Sequence, residues 1–237
     1  MRHGGKVLTE TLDKLVESVK VGVSTKKLDD IAENFIRSHP GCTPGFKGYH
    51  GFPGSLCTSI NEEVVHGIPS SDRILREGDI IGLDCGVFYK GLHTDACRTV
   101  IAGKASHEVK QFVKVTKEAL QKAVKQVRPG GHIGDISEVI QETLERFDYA
   151  PVIDCTGHGV GRDLHEEPEI LNAGIKGTGS VMKSGMVLAI EPISAMGQGD
   201  IKSSKDGWTL FTADRSLSAH FEYTVLVTES GYEILAF

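Results

Sequence analysis

Leu8, Leu12, Leu15, Val16 and Val19 recur at the interval of an amphipathic helix, which the pattern ends at Val21-Gly22. Leu28, Ile31, Ala32 and Phe35 form the face of a second helix, with Ser24 or Thr25 as its cap. From residue 116 the pattern returns. Leu120, Ala123, Val124 and Val127 mark a third helix ending at Pro129-Gly130, and Ile136, Val139, Ile140 and Leu144 mark a fourth. At an offset of 108 residues Gly22 falls on Gly130, Leu28 on Ile136, Ile31 on Val139 and Ile36 on Leu144, whereas Phe35 falls on Thr143. Any two amphipathic helices align this well by periodicity alone. A second match is less easily produced by chance. Gly78-Asp79-Ile80-Ile81-Gly82-Leu83-Asp84 and Gly185-Met186-Val187-Leu188-Ala189-Ile190-Glu191 each lead from a glycine through an apolar strand to an acid six residues on, at an offset of 107.

The pattern predicts an α+β fold of one domain, 1–237, with approximate internal halves 1–103 and 104–237. Gly82–Val87 with His93–Ile101, and Phe221–Thr228 with Tyr232–Phe237, suggest antiparallel hairpins. Two helix pairs are expected to back one curved, mostly antiparallel sheet. An internal pseudo-two-fold would bring Asp84 and Glu191 together in space.

Those acids are the anomaly. A carboxylate inside an apolar strand is costly to bury without a partner, and Asp84 is followed by Asp95 as Glu191 is followed by Glu222. Four converging carboxylates would repel one another until some protonated or a cation entered. Two divalent ions would balance them, as in two-metal sites. His158, set among the glycines of Gly157-His158-Gly159-Val160-Gly161, offers a nitrogen where the backbone can approach closely. His66 in Val65-His66-Gly67-Ile68-Pro69 and His165 in Leu164-His165-Glu166-Glu167-Pro168 are further candidates. The other seven histidines, His3, His107 and His132 among them, take no role. Taken singly, each acid reads equally well as a strand end or an ion-pair partner, and each His-Gly as a turn. The repeated combination favours metal.

Composition narrows the class. The formal net charge of -6 leaves no basic footprint for nucleic acid. No apolar run is long enough to span a bilayer, and no leader pattern suggests secretion. The five cysteines are odd in number and form no C-x-x-C pair, so reduced thiols in the cytoplasm are expected rather than a disulfide framework or thiolate zinc.

Nearly the whole chain resembles the methionine aminopeptidases, specifically the short bacterial (type I) form. The resemblance rests on Tyr49-His50-Gly51-Phe52-Pro53, Asn61-Glu62, His66-Gly67-Ile68-Pro69, Asp84 with Asp95, Gly157 to Gly161, His165-Glu166-Glu167-Pro168, Ile190-Glu191-Pro192, Asp206-Gly207-Trp208 and Ser216 to Glu222. It implies the pita-bread fold. It also implies a dinuclear divalent centre (Co, Mn, Fe or Zn) in which Asp84 chelates one ion, Asp95 and Glu222 bridge both, and His158 and Glu191 complete the other. A water or hydroxide shared by the ions would attack the first peptide bond, with Glu191 as a proton shuttle and His66 and His165 contacting the scissile amide. The implied activity is removal of the N-terminal methionine from nascent polypeptides, with a small second residue preferred. Tyr49, Phe52, Cys57 and Trp208 would line the methionine pocket, and Asn61 and Ser218 a monovalent-cation site. A cytoplasmic monomer is implied, with the ribosome surface as a docking partner. Ordinary core packing is the bland reading of Trp208. Leu164 and Phe46 depart from residues common in relatives and reshape the expected pocket. The rival readings are a proline-directed peptidase of the same fold, which would carry an extra N-terminal domain, and a non-catalytic binding protein, which would have lost ligands.

Overall fold

In the computed structural model, which describes residues 1–237, four helices stand in two consecutive pairs. Helix α1 (Arg2–Ser18) ends before the expected Val21-Gly22, and α2 (Thr25–Arg37) starts where Ser24 Oγ accepts the Lys27 N–H. Helix α3 (His107–Val124) begins well ahead of residue 116, because Ser106 Oγ caps it by accepting from Val109 N–H. Helix α4 spans Ile133–Glu145. Leu8, Leu12, Leu15, Leu28, Ala32 and Ile36 are buried beneath the first pair, and Leu120, Ala123, Ile136, Ile140 and Leu144 beneath the second. Phe35 is only half-buried, and the inward position beside it belongs to Ile36.

The backbone itself repeats. Gly22 and Gly130 take φ of 89° and 82°, and Gly78 and Gly185 take 87° and 94°, conformations that side chains strain to adopt. Gly22 N–H donates to Leu75 O at 2.8 Å and Gly130 N–H to Met182 O at 2.9 Å. Leu75 N–H returns to Val23 O, and Met182 N–H to Gly131 O. The helix-to-strand alignment therefore reflects equivalent turns and not periodicity alone.

Every strand pairing is antiparallel, but the ladders divide into four sheets. In the first half β4 (Ile80–Tyr89) pairs with β5 (Leu92–Ile101), with β2 (Leu56–Ile60) and with β1 (Cys42–Pro44). In the second half β8 (Glu166–Leu171), β7 (Thr156–Gly159), β9 (Val187–Ile190), β14 (Tyr223–Val227) and β15 (Tyr232–Ala236) run in that order. Two three-stranded sheets flank them: β13 (Ser218–His220), β10 (Ile193–Ala195) and β6 (Ala150–Pro151), and β11 (Ile201–Ser203), β12 (Leu210–Thr212) and β3 (Glu63–Val65). A bridge between Cys97 and Glu222 joins the two large sheets where the chain passes from β13 to β14. The expected single surface is thus a seam between halves. The halves are also tied at their ends. A Cβ on Gly5 would lie 2.0 Å from Leu235 O, so this glycine inside α1 lets it press onto β15.

Candidate metal centre

The seam positions the acids. Asp84 pairs with Cys97 and Gly86 with Asp95, so Asp84 and Asp95 lie diagonally on one face of the β4–β5 hairpin. Cys57 pairs with Asp84 on the other edge and shares that face. Across the seam Glu222 N–H donates to Cys97 O at 2.9 Å. Thr224 Oγ1 locks the neighbouring step, accepting from Asp95 N–H at 2.9 Å and donating to Asp95 O at 2.6 Å. Glu191 follows the last residue of β9, and His158 pairs with Ala189 two residues before it. The glycines around His158 are required by close approach. A Cβ on Gly157 would meet Ala189 O at 2.5 Å, and one on Gly159 would meet Glu167 O at 2.2 Å.

Asp84, Asp95, His158, Glu191 and Glu222 line one cavity of about 220 Å³, as the internal symmetry requires. Ligand atoms of Asp95, His158 and Glu222 converge within 4.8 Å of one another. Asp84 Oδ1, Asp95 Oδ1 and Glu222 Oε1 are shut off from solvent with no hydrogen-bond partner, and no lysine or arginine lines the cavity. Orphaned carboxylate oxygens without a basic partner are costly, and a divalent cation satisfies them. The donor set therefore fits a metal. His158 fits too. Its Nδ1 lies 2.8 Å from Gly159 O, a carbonyl that can only accept, so Nδ1 carries the proton and the Nε2 lone pair faces the site, 3.4 Å from Glu191 Oε1.

Electrostatics agree. Burial pushes Asp84 up to about 7, a rise that neighbouring Glu191 reinforces and His220 opposes. Burial also lifts Glu191 to about 7 against the pull of His158. Asp95 and Glu222 are held well above the ordinary carboxylate range, by burial first and then by the other acids. Burial lowers His158, His66, His165 and His220, favouring neutral imidazoles.

Above the acids lies an apolar wall of Phe46, Tyr49, Phe52, Cys57, Val65, Leu164 and Trp208. The Trp208 and Phe52 rings meet edge-to-face at 5.2 Å, so Trp208 packs at the cavity and not in either main core. Leu164 and Phe46, the two departures, are both buried in this wall, and Phe46 closes against Gly86. His66 (φ 59°) and His165 stand at the rim, and Tyr49 Oη is 3.1 Å from His165 Nδ1. Asn61 and Ser218 lie elsewhere. Ser218 N–H donates to Asn61 O at 2.8 Å, the Asn61 amide holds Asp79 and Ile80, and Ser218 Oγ donates to Ser194 O. Sequence reasoning passed over His220, which lines the cavity at 4% exposure. Its place two residues before Glu222 was the available signal, since such residues share a face in extended chain.

This cage in this fold defines a class. Residues 1–229 match metallopeptidase family M24, to which the chain belongs. A methionine aminopeptidase of Clostridium acetobutylicum is 48% identical over 235 residues, 99% of this chain and 94% of its relative. The solved methionine aminopeptidase of Thermotoga maritima superposes with a TM-score of 0.97 at 42% identity, covering 99% of this chain and 94% of that one. Within M24 the chain therefore stands among the methionine aminopeptidases of bacterial type, metallo-aminopeptidases with the pita-bread fold. The prolidase of Pyrococcus horikoshii (TM-score 0.80, 20% identity, 60% of that chain covered) shares the fold alone.

Proposed function

We propose that the protein is a dinuclear metal-dependent aminopeptidase that removes the N-terminal methionine from nascent polypeptides and prefers a small second residue. The observation that carries this is the juxtaposition in one cavity of partnerless buried carboxylates with a small apolar, sulfur- and aromatic-lined wall.

Asp84 would hold one ion, Asp95 and Glu222 would bridge two, and His158 and Glu191 would complete the second. Divalent ions bound there supply Lewis acidity, which polarises a carbonyl and lowers the pKa of water toward neutrality. Glu191 would also act as the proton shuttle, accepting a proton and returning it to the departing amine. His66 and His165, neutral at the rim, would donate hydrogen bonds to the scissile amide and to the charge that develops on it. The cavity is below the roughly 300–1,000 Å³ of pockets that enclose drug-sized ligands, so it suits a single side chain. Tyr49, Phe52, Cys57 and Trp208 would grip an unbranched thioether through sulfur–aromatic contacts. Asn61 and Ser218 would contribute to a monovalent-cation site outside this cavity, and the enzyme would act as a cytoplasmic monomer.

A peptide panel tests the assignment. Met-Gly, Met-Ala and Met-Ser peptides should be cleaved, Met-Leu and Met-Lys peptides much more slowly, and Xaa-Pro dipeptides not at all. Cleavage confined to Xaa-Pro substrates would replace the methionine reading with a proline-directed one.

A further inference from the structure

His220 is the one buried polar group at the cavity to which none of the proposed roles applies. Its backbone is clamped: the N–H donates to Thr99 Oγ1 at 2.9 Å, the carbonyl accepts from Thr99 Oγ1 at 2.7 Å, and the residue pairs with Ile193 in the β13–β10 ladder. Its Nε2 is sealed from solvent without a hydrogen-bond partner and lies 3.3 Å from Glu191 Oε2. The other oxygen, Glu191 Oε1, faces His158 Nε2 at 3.4 Å. Glu191 is thus bracketed by two imidazoles, one to each oxygen. The two are not equivalent. His158 contributes to the converging cluster with Asp95 and Glu222, whereas His220 reaches Glu191 from the β13 side.

We propose that His220 is a positioning residue for Glu191, donating its Nε2–H to Oε2 so that Oε1 is presented to a cation beside His158. A buried N–H left unpaired is costly, and closing this bond requires only a small rotation of either side chain. With Oε2 tied as an acceptor, Glu191 has one oxygen aimed at the ion and cannot swing to chelate with both. Outer partners of this kind typically tune metal affinity about 10–100-fold. The inference rests on the metal reading of the cage.

The test titrates Co(II) into chelator-stripped protein, following heat and the visible absorption of the bound ion, for wild type, His220→Gln, His220→Leu and His220→Asn. Gln keeps a donor of similar reach. Asn keeps polarity but falls short, and serves if the Leu variant does not fold. Affinity for the first Co(II) should fall about 10–100-fold in the Leu and Asn variants, while the Gln variant stays within about threefold with the wild-type absorption bands. Unchanged affinity in the Leu or Asn variant would overturn the proposal. So would an equal loss in the Gln variant with altered bands, which would make His220 a direct ligand. Wild type that binds no Co(II) would instead remove the metal reading itself, and this proposal with it.

Discussion

Stripping metal from this protein should make its stability fall as pH rises, the reverse of ordinary carboxylate behaviour. In the folded chain Asp84 titrates at about 7 because it is buried, whereas the exposed residue titrates near 3.8. Between those values the folded state binds more protons than the unfolded state, so the free energy of unfolding decreases with pH. The proton-linked stabilisation is complete below the unfolded value and is lost as pH climbs through the folded one. A rise from 3.8 to about 7 corresponds to about 4 kcal/mol at this one site. Glu191, Asp95 and Glu222 shift in the same direction but share the cavity, so their contributions overlap. About 3 kcal/mol of the Asp84 contribution is lost between pH 5 and pH 8, because at pH 5 the unfolded residue is already ionised. At about 2–4 °C per kcal/mol for a chain of this size, Asp84 alone predicts a melting temperature lower by about 6–12 °C at pH 8 than at pH 5. The assay is thermal unfolding from pH 5 to pH 8, in chelator and again after adding Mn(II). Mn(II) should restore most of the loss at pH 8 and little at pH 5, because the ion competes with protons for the same oxygens. Asp84→Asn, which removes the charge, should flatten the metal-free profile. Metal-free stability that is level or rises between pH 5 and 8, unchanged by Asp84→Asn, would refute the reasoning.

Two further outcomes follow from the rim and the packing around His158. His66→Ala and His165→Ala should each lower kcat by about 10²–10³ with metal content unchanged, the loss expected for one donor to a developing charge; rates within a few-fold of wild type would remove that role. Gly157→Ala places a Cβ 2.5 Å from Ala189 O. It should cost about 1–3 kcal/mol in urea unfolding and weaken metal binding by displacing His158, and a variant as stable as wild type would mean β7 is free to shift.

What could be read from the sequence was whatever recurs at short range. The glycine-to-acid interval was legible because Gly78 and Gly185 hold positive φ at equivalent turns, which keeps glycine in both halves. Asp84 and Asp95 were legible because a carboxylate in an apolar strand has no ordinary explanation. Long-range contacts were not legible. Thr224 looks like any strand threonine until it is seen hydrogen-bonded to both backbone groups of Asp95. His220 looked unremarkable because its partner Glu191 comes from another sheet. Gly5 reads as a helix breaker inside α1, and its close approach to Leu235 of β15 accounts for it. The split into four sheets depends on the seam at Cys97 and Glu222, which no local pattern encodes.

The most direct test of the central claim is the rate of methionine release from a Met-Ala-Ser peptide, measured against divalent ions bound per chain as stripped protein is reloaded with Mn(II) or Co(II). The rate should be negligible in chelator and should rise with ion occupancy. It should stay negligible in Asp95→Asn and His158→Ala, which remain folded. Full release by chelator-stripped protein, or by either variant, would contradict the account.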